Sequence, residues 1–446
     1  MPILETVSTK LRRIAKLARE APKRAFISLG HNLDMDWMKE AYGRTRTDGA
    51  VGVDGQRAEQ YEEKLEENLQ GLLNRAKSGT YYAPAVRRVH IPKGEGNKTR
   101  PIGIPTLEDK VLQRAVAMVL EAVYEQDFLP CSYGFRPGRS AHQALKALRA
   151  QLMAMGGGTV VEVDIDSFFD SLDRGQLRGI LNQRVRDGML VRLIGKWLNA
   201  GVLEAGQVHY PEAGTPQGGV ISPLLANIYL HEVLDVWFHE VVKPRLRGEA
   251  HLYRYADDVT MVFAQEEDAR RVMEVLPKRL GKYGLRLNPD KTRQVPFRPT
   301  PGDSQEPGGK QGAELGRFDL LGFRHYWCRS RRGAWVIKQK TAAGRFSRGL
   351  KRIAQYCRKA RHLPIPEQHQ QLAQKLRGHY GYYGITGNSK ALGRFRQEVT
   401  RIWRKWLGTR SWHAKRNWDW FHQILERHPL PPAIAVHSSL RHAANL

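Results

Sequence analysis

Two adjacent aspartates, Asp257 and Asp258, stand between two apolar β-like runs in the segment LYRYADDVTMVF. Apolar runs on both sides of a short polar stretch predict a β-hairpin that carries the two charges at its turn. Paired carboxylates are costly to remove from water unless cations neutralise them. On this segment alone a solvated Asp-Asp turn is an equally good interpretation, so the choice depends on where other acidic residues lie.

A second segment, TVVEVDIDSFFDSLDR, brings a β-branched run to its end at Asp164. Its alternation predicts a half-buried strand that ends in Asp164, whereas Asp166 and Asp170 are assigned to the following turn and helix. A carboxylate at a strand end, beside an acidic hairpin, makes a hard-oxygen site suited to Mg²⁺. Two such ions about 3.5–4 Å apart activate a 3′-hydroxyl and stabilise a leaving pyrophosphate. The two segments together therefore favour a nucleotidyl-transfer centre.

The charge of the chain predicts a polyanionic partner. Its 446 residues include 72 Lys and Arg against 45 Asp and Glu, a net charge of +27, which favours nucleic acid or an anionic membrane surface. From residue 331 to the end the sequence contains 24 Lys and Arg residues but only four Asp and Glu residues. Six of the ten tryptophans lie between Trp335 and Trp420. Basic residues interleaved with aromatic ones suit phosphate contact and base stacking. The alternative is a basic helical domain with tryptophans in its core, and both interpretations can hold together.

The sequence carries no signal for secretion or for a membrane span. Cys131, Cys328 and Cys357 are far apart and form no CxxC pair, which fits a reducing cytoplasm better than a disulfide framework or a zinc site. The N-terminal segment is predicted to be an amphipathic helix with a cationic face, and its glutamates disfavour a mitochondrial transit peptide. No run approaches 18 apolar residues, so we expect a cytoplasmic protein without membrane contact.

The order of elements predicts an α+β chain that ends in helices alone. Residues 1–85 are helical and charged, residues 86–334 alternate short strands with helices, and residues 335–446 are helical and basic. VRRVHIPK and FDLLGFRHYW are predicted strands. PTLEDKVLQRAVAMVLEAVYEQDF is a predicted helix in which Thr106 and Asp109 have the spacing of a capping box. The Pro- and Gly-rich stretch 298–316 is predicted to be a surface loop or insertion.

Seven segments, in order along the chain, resemble the motifs of one enzyme family. YADD looks like the signature motif of reverse transcriptases, and VDIDSFFD looks like the acidic motif that precedes it. The other matching segments are IPKGEGNKTRPIGIPTLEDKVLQ, SYGFRPGRSAHQAL, AGTPQGGVISPLLANIYL, LRLNPDKT and FDLLGF. The resemblance is to bacterial group II intron reverse transcriptases and maturases. It runs from GAVGVDG (49–55) to GHYGYYGITGN (378–388), about three-quarters of the chain.

The resemblance implies the architecture of a right-hand polymerase. Fingers and palm, an antiparallel sheet with helices, are expected at 86–334, after a basic N-terminal extension and the start of the fingers at 1–85. A helical thumb, the maturase or X domain of this family, is expected at 335–446 with a basic tail. Many family members carry a zinc-type endonuclease after the thumb. No Cys/His cluster lies there in this sequence, so the endonuclease-lacking type is expected.

The motifs also imply roles for particular residues. Asp164, Asp257 and Asp258 are expected to be the catalytic residues and metal ligands. The expected nucleotide-binding residues are Lys93, Arg100, Phe169, Gln217 and Lys291. Phe169 would exclude a 2′-hydroxyl, and Lys291 would act as general acid toward pyrophosphate. The expected template- or primer-binding residues are Arg136, Arg139, Gly218 and Tyr255. Each role has an alternative. Phe169 would then be a core residue, and Arg136 and Arg139 would form structural salt bridges. The side chains of Lys93, Arg100 and Lys291 would be solvated, and Lys98 is able to replace either Lys93 or Arg100.

The expected function is that of an RNA-directed DNA polymerase of the group II intron type, with two Mg²⁺ ions or Mn²⁺ as a substitute. The expected partners are an RNA template, a DNA primer, dNTPs and an intron RNA whose splicing and mobility the protein assists in a bacterial cytoplasm. The sequence does not specify an oligomeric state. One alternative is a domesticated reverse transcriptase in DNA repair or phage defence. Another is a non-enzymatic splicing cofactor, which the three costly carboxylates argue against.

Overall fold

The computed structural model describes residues 6–92, 99–210, 214, 218–299, 316–330, 332–410 and 417–437. The chain forms two compact units. The first consists of Met1–Ala150 and Gly158–Gln294, and the second of Gln151–Gly157 and Val295–Leu446. Both units combine helices with strands, so the predicted α+β class is confirmed. Three complete strands belong to the same unit as the C-terminal helices, and the last of them (Trp335–Thr341) lies within the stretch 335–446, which was predicted to be helical throughout.

The first unit contains most of the elements. Its helices are α1 (Val7–Glu20), α2 (Met35–Gly43), α3 (Ala58–Glu62), α4 (Leu65–Ser78), α5 (Leu107–Tyr124), α6 (Ala141–Ala154, which ends in the second unit), α7 (Phe168–Ser171), α8 (Arg174–Arg184), α9 (Gly188–Leu198), α10 (Ser222–Leu230) and α11 (Glu266–Gly281). A π-helix (His231–Val242) follows α10, and short 3₁₀ turns lie at Gly30–Asn32 and Lys243–Arg245. Its strands are β1 (Val86–Pro92), β2 (Thr99–Ile104), β3 (Gly158–Val163), β4 (Val202–Glu204), β5 (Gln207–His209), β6 (Ala250–Tyr255), β7 (Asp258–Phe263) and the start of β8 (Arg293–Phe297).

Two four-stranded sheets organise this unit. One has the order β2-β1-β4-β5, in which β1 and β2 form an antiparallel hairpin and β1 lies parallel to β4. The other has the order β6-β7-β3-β8, in which β7 is antiparallel to both β6 and β3. In β3 and β7 nearly every side chain is buried, as expected for central strands rich in Val and Thr. This second sheet positions the acidic segments.

Helix α5 lies at the centre of the first unit's core. Thr106 caps its N-terminus, because its hydroxyl accepts a hydrogen bond from the Asp109 amide at 3.2 Å, so the predicted start of this helix is confirmed. Trp37 of α2 is fully buried and donates its indole N–H to the Ala115 carbonyl at 3.0 Å. Burying an apolar side chain of this kind stabilises the fold by about 1.5–3 kcal/mol. The predicted amphipathic helix at the N-terminus is also present, as α1, with Ile14 and Ala18 buried.

Asp109 is a buried acid in the first turn of α5. Trp197 donates its indole N–H to the carboxylate at 3.0 Å, and the Tyr81 hydroxyl donates to the same oxygen. Burial disfavours the charged form more than these two hydrogen bonds favour it, and it raises the pKa of Asp109 to about 7. The protonation of this group therefore changes near neutral pH.

The second unit joins a small sheet to a set of helices. The sheet has the order β11-β10-β9, with β9 (Arg317–Leu320), β10 (Phe323–Arg329) and β11 (Trp335–Thr341) antiparallel. The helices are α12 (Ala343–Lys359), α13 (Ile365–Tyr383), α14 (Ser389–Gly408) and α15 (Trp418–Arg427). The segment FDLLGFRHYW, predicted as one strand, is instead a hairpin of β9 and β10. Leu321 and Gly322 turn the chain between them with φ of 50° and 83°.

The tryptophans of the second unit divide between core and surface. Trp403 is fully buried and donates to the Gln368 side chain at 3.1 Å, so the core interpretation holds for this residue. Trp418 is 40% exposed, and the Arg404 guanidinium lies 4.2 Å from the centre of its ring. The three cysteines are free thiols. Among the described residues, no helix combines the length and the apolar character needed to cross a bilayer.

Candidate active site

The predicted acidic hairpin is present as β6 and β7. Its last pair is Tyr255 with Asp258, so only Ala256 and Asp257 form the turn. Ala256 has φ of 56°, a left-handed conformation that a two-residue hairpin turn requires and that glycine adopts most easily. For a non-glycine residue such a conformation costs on the order of 1–3 kcal/mol and is concentrated at functional sites. The turn is therefore held by its surroundings.

Asp164 lies beside this hairpin because of the register between β3 and β7. Val163 pairs with Val259 in the antiparallel ladder, so the next step of the same register sets Asp164 opposite Asp258. Residues opposed in this way have Cα atoms about 4.5–5.5 Å apart. Asp164 and Asp257 are half-buried, and Asp258 is exposed. The structure thus brings the three predicted carboxylates to one end of the central sheet.

A loop of the LRLNPDKT motif surrounds Asp164. The Asn288 amide donates to the Asp164 carbonyl at 2.9 Å, and the Asp164 amide donates to the Thr292 hydroxyl at 3.3 Å. From the same loop, the Lys291 ammonium group donates to the Asp164 carboxylate at 2.9 Å. Lys291 therefore pairs with the first of the three aspartates, while 57% of its side chain remains exposed to solvent.

The three carboxylates are chemically suited to a hard divalent cation, since carboxylate oxygens are the ligands that Mg²⁺ prefers. In the part of the chain that the structure describes, however, no three His, Cys, Asp or Glu side chains are gathered closely enough to hold a metal ion. At Asp164 the cation in contact with the carboxylate is the Lys291 ammonium group. This contact occupies one carboxylate oxygen, Oδ2, so a metal ion at Asp164 would share the carboxylate with a neighbouring positive charge.

The two phenylalanines after Asp164 differ in their surroundings. Phe168 is 3% exposed and packs near Tyr229, with ring centres 6.5 Å apart, whereas Phe169 is only half-buried. The two rings meet edge to face with centres 5.4 Å apart. Phe168 is thus a core residue. Phe169, the predicted selector against a 2′-hydroxyl, keeps part of its ring accessible.

Glycines of the GTPQGG motif bring its loop against the two neighbouring segments. Gly214 has φ of 84°, and a Cβ atom there would lie 2.7 Å from the carbonyl oxygen of Phe169. Gly218 has φ of 123°, and a Cβ atom there would lie 2.3 Å from the carbonyl oxygen of Gly103 on β2. Only glycine permits these approaches. Gln217, predicted to bind nucleotide from this loop, lies outside the described residues.

The predicted triphosphate contacts are described only in part. Arg100 is exposed on β2, where it pairs with Ile91 of β1. Lys93 and its alternative Lys98 lie outside the described residues. Most of the predicted insertion at 298–316 also lies outside them.

The predicted template contacts have contrasting environments. Arg136 is 7% exposed, forms a bidentate pair with Glu125 at 3.0–3.1 Å, and donates to two carbonyls. This geometry favours the structural salt bridge for Arg136. Arg139 is exposed and stacks over Tyr133 at 5.7 Å. Tyr255, at the hairpin end, lies 6.4 Å from the exposed ring of Phe135.

One group that the sequence interpretation missed lies directly beneath the turn. Arg254 is fully buried and donates to the Ala256 carbonyl at 3.2 Å. The signal was present, because Ala250, Leu252 and Arg254 share one face of β6 and the first two are apolar. An arginine on an otherwise apolar inward face indicates a buried partner.

Known proteins match large parts of this sequence. Residues 91–324 match the family described as "Reverse transcriptase (RNA-dependent DNA polymerase)". The Group II intron-encoded protein LtrA of Lactococcus lactis subsp. cremoris is 47% identical over 168 residues, which are 38% of this chain and 28% of LtrA. Protein YkfC of Escherichia coli K12 is 36% identical over 297 residues, 58% of this chain and 76% of YkfC. The nuclear intron maturase 4 of Arabidopsis thaliana is 30% identical over 156 residues, 34% of this chain and 19% of that protein.

The chain therefore belongs to the reverse transcriptase family. Its similarity to LtrA and to other intron proteins associates it, within that family, with the group II intron-encoded proteins and intron maturases. The matching region spans little more than a quarter of LtrA's own length.

Proposed function

We propose that this chain is an RNA-directed DNA polymerase of the group II intron type. The observation that carries the proposal is the register of the central sheet, in which Asp164 follows the pair Val163–Val259 and so faces Asp258, with Asp257 next to it in the turn. Carboxylates so arranged, in a chain of the reverse transcriptase family, support nucleotidyl transfer between a primer and a deoxynucleotide.

Asp164, Asp257 and Asp258 would hold two Mg²⁺ ions, or Mn²⁺ as a substitute, which supply activation of the primer 3′-hydroxyl and charge stabilisation at the leaving pyrophosphate. In this proposal Lys291, which contacts the Asp164 carboxylate, would donate a proton to the leaving pyrophosphate. A positioned proton donor of this kind contributes roughly 10²–10⁴-fold to a rate.

Other residues would bind the substrates around this centre. Phe169, five residues after Asp164 and half-buried, would exclude the 2′-hydroxyl of a ribonucleotide. Lys93, Arg100 and Gln217 would hold the triphosphate and sugar. The proposed contacts to template and primer are Arg139, Gly218 and Tyr255.

In the proposed right-hand arrangement, residues 1–85 form the N-terminal extension and the start of the fingers, and residues 86–334 form the fingers and palm. Residues 335–446 form a thumb that grips the duplex.

Support for the thumb comes from one face of α12, which we call the α12 stripe: Arg345, Arg348, Arg352 and Lys359. At 3.6 residues per turn these four side chains fall within about 60° around the helix and extend about 21 Å along it. Helix α12 contains no acidic residue. Within the described part of the chain, none of the four forms an ion pair with a carboxylate. Such a stripe suits the phosphates of a duplex.

The same protein would also bind its intron RNA and assist splicing and mobility. The names of two relatives, a group II intron-encoded protein and an intron maturase, refer to introns, and the charge of +27 suits RNA. Sequencing the RNA that copurifies with the protein tests this part. Enrichment of an intron transcribed beside the gene supports it, and RNA without such enrichment contradicts it.

Primer extension tests the polymerase itself. With Mg²⁺, dNTPs and a DNA primer on an RNA template, the wild-type chain should extend the primer. Asp257→Asn should reduce the rate by roughly 10³-fold or more, since metal-assisted charge stabilisation is worth several kcal/mol. Asp166→Asn is the matched control, because Asp166 is exposed and lies outside the β3–β7 register. Full activity of Asp257→Asn, or no extension by the wild type, would refute the assignment.

A further inference from the structure

A buried ion pair lies under the hairpin turn, between the strand β6 and the π-helix. Arg254 donates from Nε to one Asp235 oxygen at 2.7 Å and from Nη2 to the other at 2.6 Å. Both side chains are 0% exposed. Burial alone would raise the pKa of Asp235, but the charge and hydrogen bonds of Arg254 outweigh it and hold that pKa below its ordinary value. Replacing such a pair with apolar residues is often no less stable, so its presence needs a reason beyond stability.

The remaining terminal nitrogen of Arg254 faces the turn. Its Nη1 donates to the Asn227 side-chain oxygen at 2.8 Å and to the Ala256 carbonyl at 3.2 Å. Asn227, on α10, in turn donates to the Gly134 carbonyl at 2.7 Å. Gly134 is packed against the turn so closely that a Cβ atom there would lie 2.3 Å from the Ala256 nitrogen. Two connected contacts therefore converge on Ala256, the residue immediately before Asp257.

The geometry points to a positioning role for Arg254: with Asp235 and Asn227 it holds Ala256 in its left-handed conformation and thereby directs the Asp257 carboxylate toward a divalent cation. This inference rests on the proposed function, because it concerns the same carboxylates. It explains why the residue is arginine, whose planar fork can bind a carboxylate in two places and still present a nitrogen to the turn. A lysine offers one point charge and cannot do both.

The role predicts a specific defect in metal binding. Arg254→Lys keeps the charge opposite Asp235 but loses the contact with Ala256. Changes to groups that orient metal ligands typically cost about 10–100-fold in metal affinity, and we expect Mn²⁺ affinity, measured by EPR titration, to fall within that range. The Mg²⁺ concentration for half-maximal primer extension should rise similarly, while the Kd for template–primer stays within about twofold, since phosphate contacts set that affinity.

A second variant separates positioning from general loss of structure. Glycine adopts positive φ at no steric cost, so Ala256→Gly added to Arg254→Lys should restore part of the Mn²⁺ affinity without restoring the melting temperature. Arg184 provides the matched control. It forms a bidentate pair with Asp127 at 2.7 and 3.0 Å, is almost fully buried, and donates to carbonyls near α1 rather than to the turn. Arg184→Lys should lower the melting temperature but leave Mn²⁺ affinity unchanged.

The outcomes decide the inference. Equal Mn²⁺ affinity in Arg254→Lys and the wild type overturns it, as does an equal loss in Arg184→Lys. If Arg254→Lys does not fold, Asn227→Ala keeps the Arg254–Asp235 ion pair but removes both the acceptor of Arg254 Nη1 and the donor to the Gly134 carbonyl. Its Mn²⁺ affinity should then fall several-fold, and an unchanged affinity overturns the inference. A wild type that neither binds Mn²⁺ nor extends a primer would instead contradict the proposed function.

Discussion

The α12 stripe allows the proposed nucleic-acid clamp to be tested quantitatively. The perturbation replaces its four cations, Arg345, Arg348, Arg352 and Lys359, with glutamine. Three of them are exposed and Arg348 is half-buried, and the buried residues of the helix, Ile353 and Cys357, lie on another face. The variant should therefore fold, and the change in free energy of unfolding should be small.

The expected effect on binding follows from counterion release. If each cation neutralises one phosphate, the slope of log K against log salt concentration decreases by about 3, at roughly 0.7–0.9 per phosphate. If the wild type and the variant have equal affinity at 1 M salt, this difference in slope makes the affinity of the variant about a few hundred-fold lower at 0.15 M salt.

Fluorescence anisotropy of a labelled primer–template duplex, measured at several KCl concentrations, gives both quantities. The matched control removes four cations that already pair with glutamates in the first unit: Lys39, Arg44, Lys64 and Arg270. Its net charge equals that of the stripe variant, but its slope should change little. Equal slopes for the wild type and the stripe variant, or the same decrease in both variants, would refute local phosphate contact by α12.

Three further predictions concern single residues. Phe169→Val should raise ribonucleotide incorporation relative to deoxynucleotide by about 10–100-fold, as expected for one steric contact; unchanged selectivity in a competition assay would return Phe169 to the core. Lys291→Met should lower the maximal rate about 100-fold. It should also lower the Mg²⁺ concentration for half-maximal rate, because the positive charge next to Asp164 is lost. A titration in which that concentration rises would show that Lys291 does not oppose Mg²⁺ binding at Asp164. The pKa of Asp109, raised to about 7, lies above its unfolded value of 3.8, so the folded state binds the proton more tightly and stability increases as pH falls from above 7 toward 4. The free energy of unfolding of the wild type, measured with urea, should increase by about 1.4 kcal/mol per pH unit below 7 relative to that of Asp109→Asn. Parallel pH profiles for the two proteins would show that protonation of Asp109 does not stabilise the fold.

The acidic hairpin and the strand that precedes Asp164 were predictable because their signals are local. Apolar runs on both sides of Asp257 and Asp258 identify the hairpin, and a β-branched run that ends at Asp164 identifies the third strand. The cap at Thr106 follows from its spacing to Asp109. Each of these depends on neighbours within a few residues, and the observed register and hydrogen bond agree with them.

The environments that the sequence did not reveal depend on distant partners. Arg136 is buried because the end of α5 brings Glu125 opposite it, and no spacing in the motif indicates that. Lys291 contacts Asp164 across 127 positions of sequence. Arg254 lies on a strand and has its side-chain partners on two helices, so its burial was not predicted. The turn at Leu321 was missed because a leucine with positive φ carries almost no local signal.

The central claim is that Asp164, Asp257 and Asp258 share a pair of divalent cations. Anomalous diffraction from crystals grown with Mn²⁺, a primer–template and a non-hydrolysable deoxynucleotide tests it most directly. We expect two anomalous peaks about 3.5–4 Å apart, both in contact with these carboxylates. Peaks elsewhere on the protein, or peaks that do not contact Asp164, would contradict the account.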